Sequence, residues 1–255
     1  MFDADNTVSI RTFCTEIQPG SLQIIHLYNS KAAALTAAER NRVVDDFDHA
    51  FVYLNASNRA WVKWRNKAGE IQLCGSGAYA LAWMMLKDKQ GFQVEINSDY
   101  HTLVATSEQN KLCLTLPNIH PVEIYFLDDE RMFVDKMSGI YLLELTSSNK
   151  LEDTQWLNSM MNMNRLSELG IHGFCAFHWD KKTNTGMLRY FVPWHGRDED
   201  YVTGSIHQYL TPLIYDLYGV DTQEWHQCSS SHGTLTSVYQ AEYVQISGNC
   251  QLVSA

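Results

Sequence analysis

Two stretches decide how this chain folds: LCGSGAYALAWMMLKDKQ at 73–90 and VTGSIHQYLTPLIYDLYG at 202–219. They align without a gap, Cys74 on Thr203, Gly75 on Gly204 and Ser76 on Ser205. Leu81 then falls on Leu210, Met84 on Leu213 and Met85 on Ile214, so both stretches carry an apolar stripe at helical spacing. Each is read as a helix, over 76–91 and 204–219, opened by Gly-Ser and closed at a glycine. A helix used twice with the same start points to an internal duplication.

The segments around each helix follow one plan. LQIIHLY (22–28), HAFVYL (49–54), AWVKW (60–64), FQVEIN (92–97) and KLCLTLP (111–117) are short, β-branched or aromatic runs bounded by turn residues, and read as strands. An Ala-rich helix is predicted over 31–47. The second half offers strands at 140–146, 172–180 and 186–193, and EYVQISG and CQLV close the chain. The stretch 151–169, polar on one side with Leu and Met on the other, is the expected counterpart of the Ala-rich helix. The expected division is 1–117 and 118–248, with 249–255 as a strand that completes the first half.

The chain has 255 residues, 45% of them apolar and 19% charged, a composition of globular proteins. Nineteen Lys and Arg against 29 Asp and Glu give a formal charge of -10, with no basic cluster. That balance argues against nucleic acid and anionic membrane as partners. No apolar run approaches the roughly 18 residues of a spanning helix, and MFDADNTVSIRTF lacks the features of a signal peptide, so a cytoplasmic protein is expected. The six cysteines form no CxxC pair and read as reduced. Cys228 and His232 are the nearest approach to a metal-ligand pair, and their spacing is weak, so no metal is expected.

A glycine and a small hydroxyl residue at the start of an apolar helix leave backbone N–H groups free, and with the helix dipole these form an anion site. Two such starts facing each other would grip a carboxylate through Gly75, Ser76, Gly77, Thr203, Gly204 and Ser205. The plainer reading makes Ser76, Thr203 and Ser205 ordinary helix caps. Cys74 sits where a helix dipole would favour its thiolate, which suits a proton acceptor; an inert buried cysteine is the alternative. Thr203, at the matching place, is too weak an acid to mirror it. Two carboxylates are further candidates: Asp48 in DDFDHAFVYL and Asp200 in RDEDYVTGS.

These residues resemble a family. DEDYVTGSIHQYLTPLIYDLYG (198–219) is similar to the EDPVTGSAH segment and following helix of the PhzF-like proteins of phenazine biosynthesis, within the diaminopimelate epimerase-like group, with Tyr201 where the family has proline. GEIQLCGSGAYALA (69–82) looks like the family's GExxLCGHAT helix start, and SSSHGTLTSVY with VQISG (229–248) like its closing strands. FCTEIQPGSLQIIHL (13–27) is more weakly similar to the opening FTxxPFxGNPAAVVL. Nothing between about Asn118 and Arg189 matches a family motif.

The resemblance implies an α+β fold of two similar domains, each a barrel-like sheet around a central helix, with the site in the cleft between the helix starts. It implies an isomerase or epimerase that moves a proton of a small acid without metal or organic cofactor, and a homodimer. FDHAFV places Asp48 on the family's acidic catalytic residue, one methylene shorter, and Asp200 and Ser205 are retained from EDPVTGS. Ser76 replaces the family's histidine, and of the epimerase branch's two cysteines only Cys74 has a counterpart. Asp48 or Cys74 is then the base and the other a candidate acid. A carboxylate-binding protein of the same fold without turnover is the rival reading, and an oligomeric scaffold a third.

Overall fold

The computed structural model describes residues 6–55, 58–127, 130–153 and 170–254. The first half runs β1 (Asn6–Thr12), β2 (Ser21–Tyr28), α1 (Lys31–Arg40), β3 (Asp48–Asn55), β4 (Arg59–Asn66), β5 (Gly69–Ile71), α2 (Gly75–Leu86), β6 (Phe92–Asn97), β7 (Thr102–Glu108) and β8 (Lys111–Pro117). The second runs β9 (Val122–Leu127), β10 (Glu130–Asp135), β11 (Ile140–Glu144), β12 (Gly173–Asp180), β13 (Thr185–Phe191), α3 (His207–Tyr218), β14 (Thr222–Gln227), β15 (Gly233–Tyr239), β16 (Tyr243–Ser247) and β17 (Cys250–Ser254).

The pairing scheme repeats. In the first half β2 lies parallel to β3, β3 antiparallel to β4, β4 parallel to β6, and β6, β7 and β8 form a meander. In the second, β11 lies parallel to β12, β12 antiparallel to β13, β13 parallel to β14, and β14, β15 and β16 form the meander. Strand β17 returns to pair with β1, and β16 pairs with β8, so hydrogen bonds join the two curved sheets. The result is an α+β fold in which each sheet wraps a helix.

That wrapping explains the composition of α2. From Gly75 to Ala82 every residue is buried, and the helix packs against β1, β2, β3, β6, β7 and β8. A helix enclosed on all sides must be apolar all round, and its Gly and Ala residues let strands approach closely. Tyr79 brings one polar atom inside, where its hydroxyl has carbonyl oxygens of Leu112 and Gly248 as acceptors at 3.0 and 2.8 Å for its single proton. Helix α3 buries Tyr209, Leu210, Leu213 and Ile214 against β15 and β16. Pro212 inside it cannot donate to the carbonyl of Gln208, and the amide of Ile119 takes that acceptor at 2.9 Å. The break in the helix thus becomes a tie to the segment that links the halves.

Several boundaries differ from expectation. The Ala-rich helix ends at Arg40, because Asn41 turns extended and both its amide and its side-chain nitrogen cap the carbonyl of Ala37. Helix α2 ends at Leu86 rather than 91; Gly91, at φ +73°, instead opens β6. Helix α3 starts at His207, three residues after Gly204, and stops as expected at Gly219 in the left-handed conformation. The counterpart helix at 151–169 falls outside the described residues apart from Leu151–Asp153. Strands β1, β5, β7, β9, β10 and β14 are not among those read from the pattern; β1, β7 and β14 are rich in Thr, Ser, Gln and Glu, and β5 has only three residues. No helix among the described residues is long and apolar enough to cross a membrane.

Candidate active site

The two helix starts meet. A Cβ placed on Gly75 would stand 2.4 Å from the amide nitrogen of Ser205, and one on Gly204 would stand 3.0 Å from the carbonyl carbon of Gly75. Glycine is needed at Gly75 because no side chain fits between the backbones. Across this junction the hydrogen bonds of the described residues leave the N–H groups of Gly75, Ser76, Gly204 and Ser205 without a protein acceptor. The capping reading fails in detail. Cys74 is the N-cap of α2, its Sγ accepting from the amide of Gly77 at 3.3 Å, and α3 has no side-chain cap. Ser76 Oγ instead accepts from Gln23 Nε2 at 3.2 Å, and the amide of Thr203 donates to Gln227 Oε1 at 2.8 Å.

Asp48 opens β3 beside this junction and is 7% exposed. Its carboxylate receives Nη2 of Arg197, lies 3.5 Å from Asn66 Nδ2 and 3.8 Å from Cys74 Sγ. Burial pushes its pKa up to about 6, against the opposing pull of Arg197 and with a smaller push from Asp200. The carboxyl therefore changes charge near neutral pH, the range in which a general base works best. Cys74 corrects the sequence expectation. Burial, and next the charge of Asp48, drive its thiol upward, outweighing the hydrogen bonds to the Gly77 amide and Ser76. At rest Cys74 is a neutral thiol, with Gln23 Oε1 at 3.7 Å and Ser76 Oγ at 3.7 Å around it.

Asp200 lies on the other wall, in the loop between β13 and α3. It accepts from Arg197 Nη1 at 3.1 Å, from the amide of Tyr201 at 3.0 Å and from Thr203 Oγ1 at 2.6 Å. Three donors hold three of its four acceptor positions, so Asp200 shapes its own loop and keeps one position on Oδ2 open. Gly77 contributes space: a Cβ there would meet Trp64 Nε1 at 2.8 Å and Cys74 Sγ at 2.9 Å. The cleft between the walls encloses about 90 Å³. Asp48, Cys74, Gly75, Ser76, Asp200, Thr203 and Ser205 line it, with Ile71, Leu73, Tyr190 and Val192 as its apolar side. Among the described residues no three or more His, Cys, Asp or Glu side chains gather as a metal site.

No protein-family model matches the chain. It is 28% identical to a Vibrio cholerae protein named an uncharacterized isomerase, over 185 residues that make up 70% of this chain and 64% of that protein. The chain thus spans less than two thirds of that relative. A Pseudomonas aeruginosa protein, also named an uncharacterized isomerase, is 25% identical over 205 residues, 77% of either chain. A Clostridium difficile protein assigned to phenazine biosynthesis as PhzC/PhzF superposes with a TM-score of 0.77 at 22% identity, covering 97% of this chain and 96% of that one. The chain has the PhzF-like fold.

Within this PhzF-like fold, Asp48, Cys74, Gly75, Ser76, Asp200, Thr203 and Ser205 line one cleft, Gly77 and Gly204 stand behind it, and four polar neighbours are not among the residues singled out from the sequence. Arg197 was hidden in an acidic run. Gln23 and Asn66 carried a signal, since each sits in phase with buried apolar residues of its strand, Gln23 with Ile25 and Asn66 with Trp64. A polar side chain on a buried face needs a partner, and both find theirs in the site. Gln227 ends β14 in the same way and holds the backbone of Asp200 and Thr203.

Proposed function

We propose that the chain is an isomerase that moves a proton on a small acid, with Asp48 as the group that takes it. The carboxylate of the acid would rest on the N–H groups of Gly75, Ser76, Gly204 and Ser205, where two helix starts add their fields. Charge that develops on that carboxylate as the adjacent carbon loses its proton would be stabilised by donors already in place. Asp48 would act in its ionised form, and the neutral Cys74 thiol beside it could return a proton. The reading needs no cofactor. The observation that carries it is a buried carboxyl, its protonated form favoured by burial, 3.8 Å from a thiol at the junction of two helix starts.

Asp48 and Cys74 come from the same wall. Inversion at a stereocentre requires proton carriers on opposite faces of the carbon, and the place opposite Cys74 holds Thr203, whose hydroxyl is engaged by Asp200. A same-face proton shift along the ligand is therefore favoured over epimerisation. We take 1–117 and 118–248 as the two halves that carry these walls.

Proton NMR in deuterium oxide with a panel of amino, hydroxy and unsaturated acids tests it. Loss of a carbon-bound proton signal with the parent protein, absent with Asp48→Asn, is the expected result. Tight binding of an acid with neither exchange nor product would replace the isomerase with a carboxylate-binding protein.

A further inference from the structure

Around the cleft mouth, the loop that follows β13 lies on the opposite half at four places. Asn66 Nδ2 donates to the carbonyl of His195 at 2.8 Å, and a Cβ on Gly196 would stand 2.8 Å from Lys67 Cγ and 3.1 Å from the amide of Ala68. The rings of Phe47 and Tyr201 stand 6.4 Å apart. Between these contacts runs Arg197, its side chain 9% exposed, one Nη on Asp48 of the first wall and the other on Asp200 of the second. Its guanidinium carbon lies 5.4 Å from the centre of the Tyr201 ring.

We infer that Arg197 is a positioning residue: its fork spans the cleft, aims the Asp48 carboxylate at the helix junction, and makes the charge of Asp48 depend on Asp200 across the gap. The inference rests on the proposed role of Asp48 as proton carrier. The rigid planar fork suits this task, because its two nitrogens reach two carboxylates at once, which a lysine ammonium does less specifically. Asp48 is faced by Arg197, Asp200, Cys74 and the neutral Asn66, with Tyr190 and His195 farther along the same cleft. His49, next in sequence, points to the other side of β3, where it meets His26 and Asp45. Asp46 is engaged by Lys67 at the surface. Arg197 is thus the one cation among the described residues that line the cleft.

The geometry predicts opposite movements for the two ends of the bridge. Removing the arginine strips Asp48 of the one opposite charge that faces it among the described residues, and its protonation midpoint should rise. Removing the charge of Asp200 relieves a repulsion and leaves Arg197 to Asp48 alone, so the midpoint should fall. A variant that merely loosened the loop would not move the two in opposite senses.

The test is carbon NMR titration of the Asp48 carboxyl in protein labelled at aspartate, its resonance assigned by its loss in Asp48→Asn. Parent, Arg197→Gln, Arg197→Lys and Asp200→Asn are compared without ligand, after thermal melts establish that each is folded. The expected result is a rise of about one to three pH units in Arg197→Gln, most of it recovered in Arg197→Lys, and a fall in Asp200→Asn. A midpoint unmoved in Arg197→Gln, or moved the same way in Arg197→Gln and Asp200→Asn, overturns the inference. If the midpoints move as expected but no acid exchanges its proton, the inference about Arg197 holds and the isomerase reading fails. If the parent exchanges and the midpoints stay fixed, the reverse is true.

Discussion

The two walls of the cleft share one strand-and-helix plan and carry opposite chemistry. In the first, Gln23 of β2 stands in register with Asp48 of β3, and Cys74 caps α2. At the same places in the second stand Ile140 of β11, in register with Gly173 of β12, and Thr203. One step beyond the His49–Arg65 pair lies Asn66; one step beyond Phe174–Phe191 lies Val192. Where the first half has a carboxylate, the second has a glycine whose Cβ would strike the Tyr190 hydroxyl at 2.3 Å. A duplicated framework has placed its titratable groups on one side and a ring and aliphatic groups on the other. The second wall returns charge only through its loop, with Arg197 and Asp200.

This asymmetry can be broken in a graded way. Asp48→Asn should lower the proton-exchange rate about a hundredfold or more, the range for loss of a general base, while Thr203→Ala in the opposite wall should change it only a few-fold. Equal losses in the two variants would return the chemistry to both walls. Next come the two glycines. Gly75→Ala drives its methyl into the backbone of Ser205 and should cost about 3 kcal/mol or more, with a matching fall in melting temperature. Gly204→Ala meets its neighbours at 3.0–3.1 Å and should cost about 1 kcal/mol. A reversed order would mean that the helix starts meet differently.

A smaller effect is expected at the thiol. Cys74→Ala removes a neutral donor beside an ionised carboxylate, worth about tenfold in exchange rate; a loss as large as that of Asp48→Asn would make the thiol the primary proton carrier. The smallest effect concerns stability. The folded Asp48 carboxyl titrates at about 6 against an ordinary value of 3.8, so it binds its proton more tightly folded than unfolded. Its contribution is full below about pH 4 and is lost as pH rises through 6, at a cost of up to about 3 kcal/mol. Buried His26, lowered to about 4, and His207, lowered to about 3, act in the opposite sense. Each contributes fully above pH 6.5 and loses that contribution as pH falls. Asp48→Asn should therefore lose stability on acidification between pH 6 and 4 more steeply than the parent, as read by denaturant titration. Parallel curves would mean that Asp48 is not perturbed.

Much of this was legible in the sequence. The gap-free alignment of two Gly-Ser helices gave both central helices and their junction, and the apolar runs gave most strands around them. Asp48 is legible from its place in DDFDHAFVYL, where a predicted helix meets a strand, and from the family resemblance of FDHAFV. The thiol of Cys74 was misjudged because a dipole argument needs only local sequence, whereas the burial that reverses it depends on strands as distant as Gln23 and Asp48. Arg197 was missed for a related reason. In RDEDYVTGS it looks like one charge in a solvated run, and only the folding of that loop onto residues 47–48 and 66–68 turns it inward. The start of α3 was placed three residues early because Gly204, Ser205 and Ile206 form a tighter turn whose carbonyls accept from His207, Gln208 and Tyr209.

The pH dependence of the exchange rate, measured on the first acid that exchanges, tests most directly whether Asp48 carries the proton. With Asp48 as the carrier, the rate rises with pH and levels off with a midpoint at about 6, a limb that vanishes in Asp48→Asn and survives in Cys74→Ser. A rate still climbing through pH 8 to 9, and flattened by Cys74→Ser, would assign the proton to the thiolate and contradict the account.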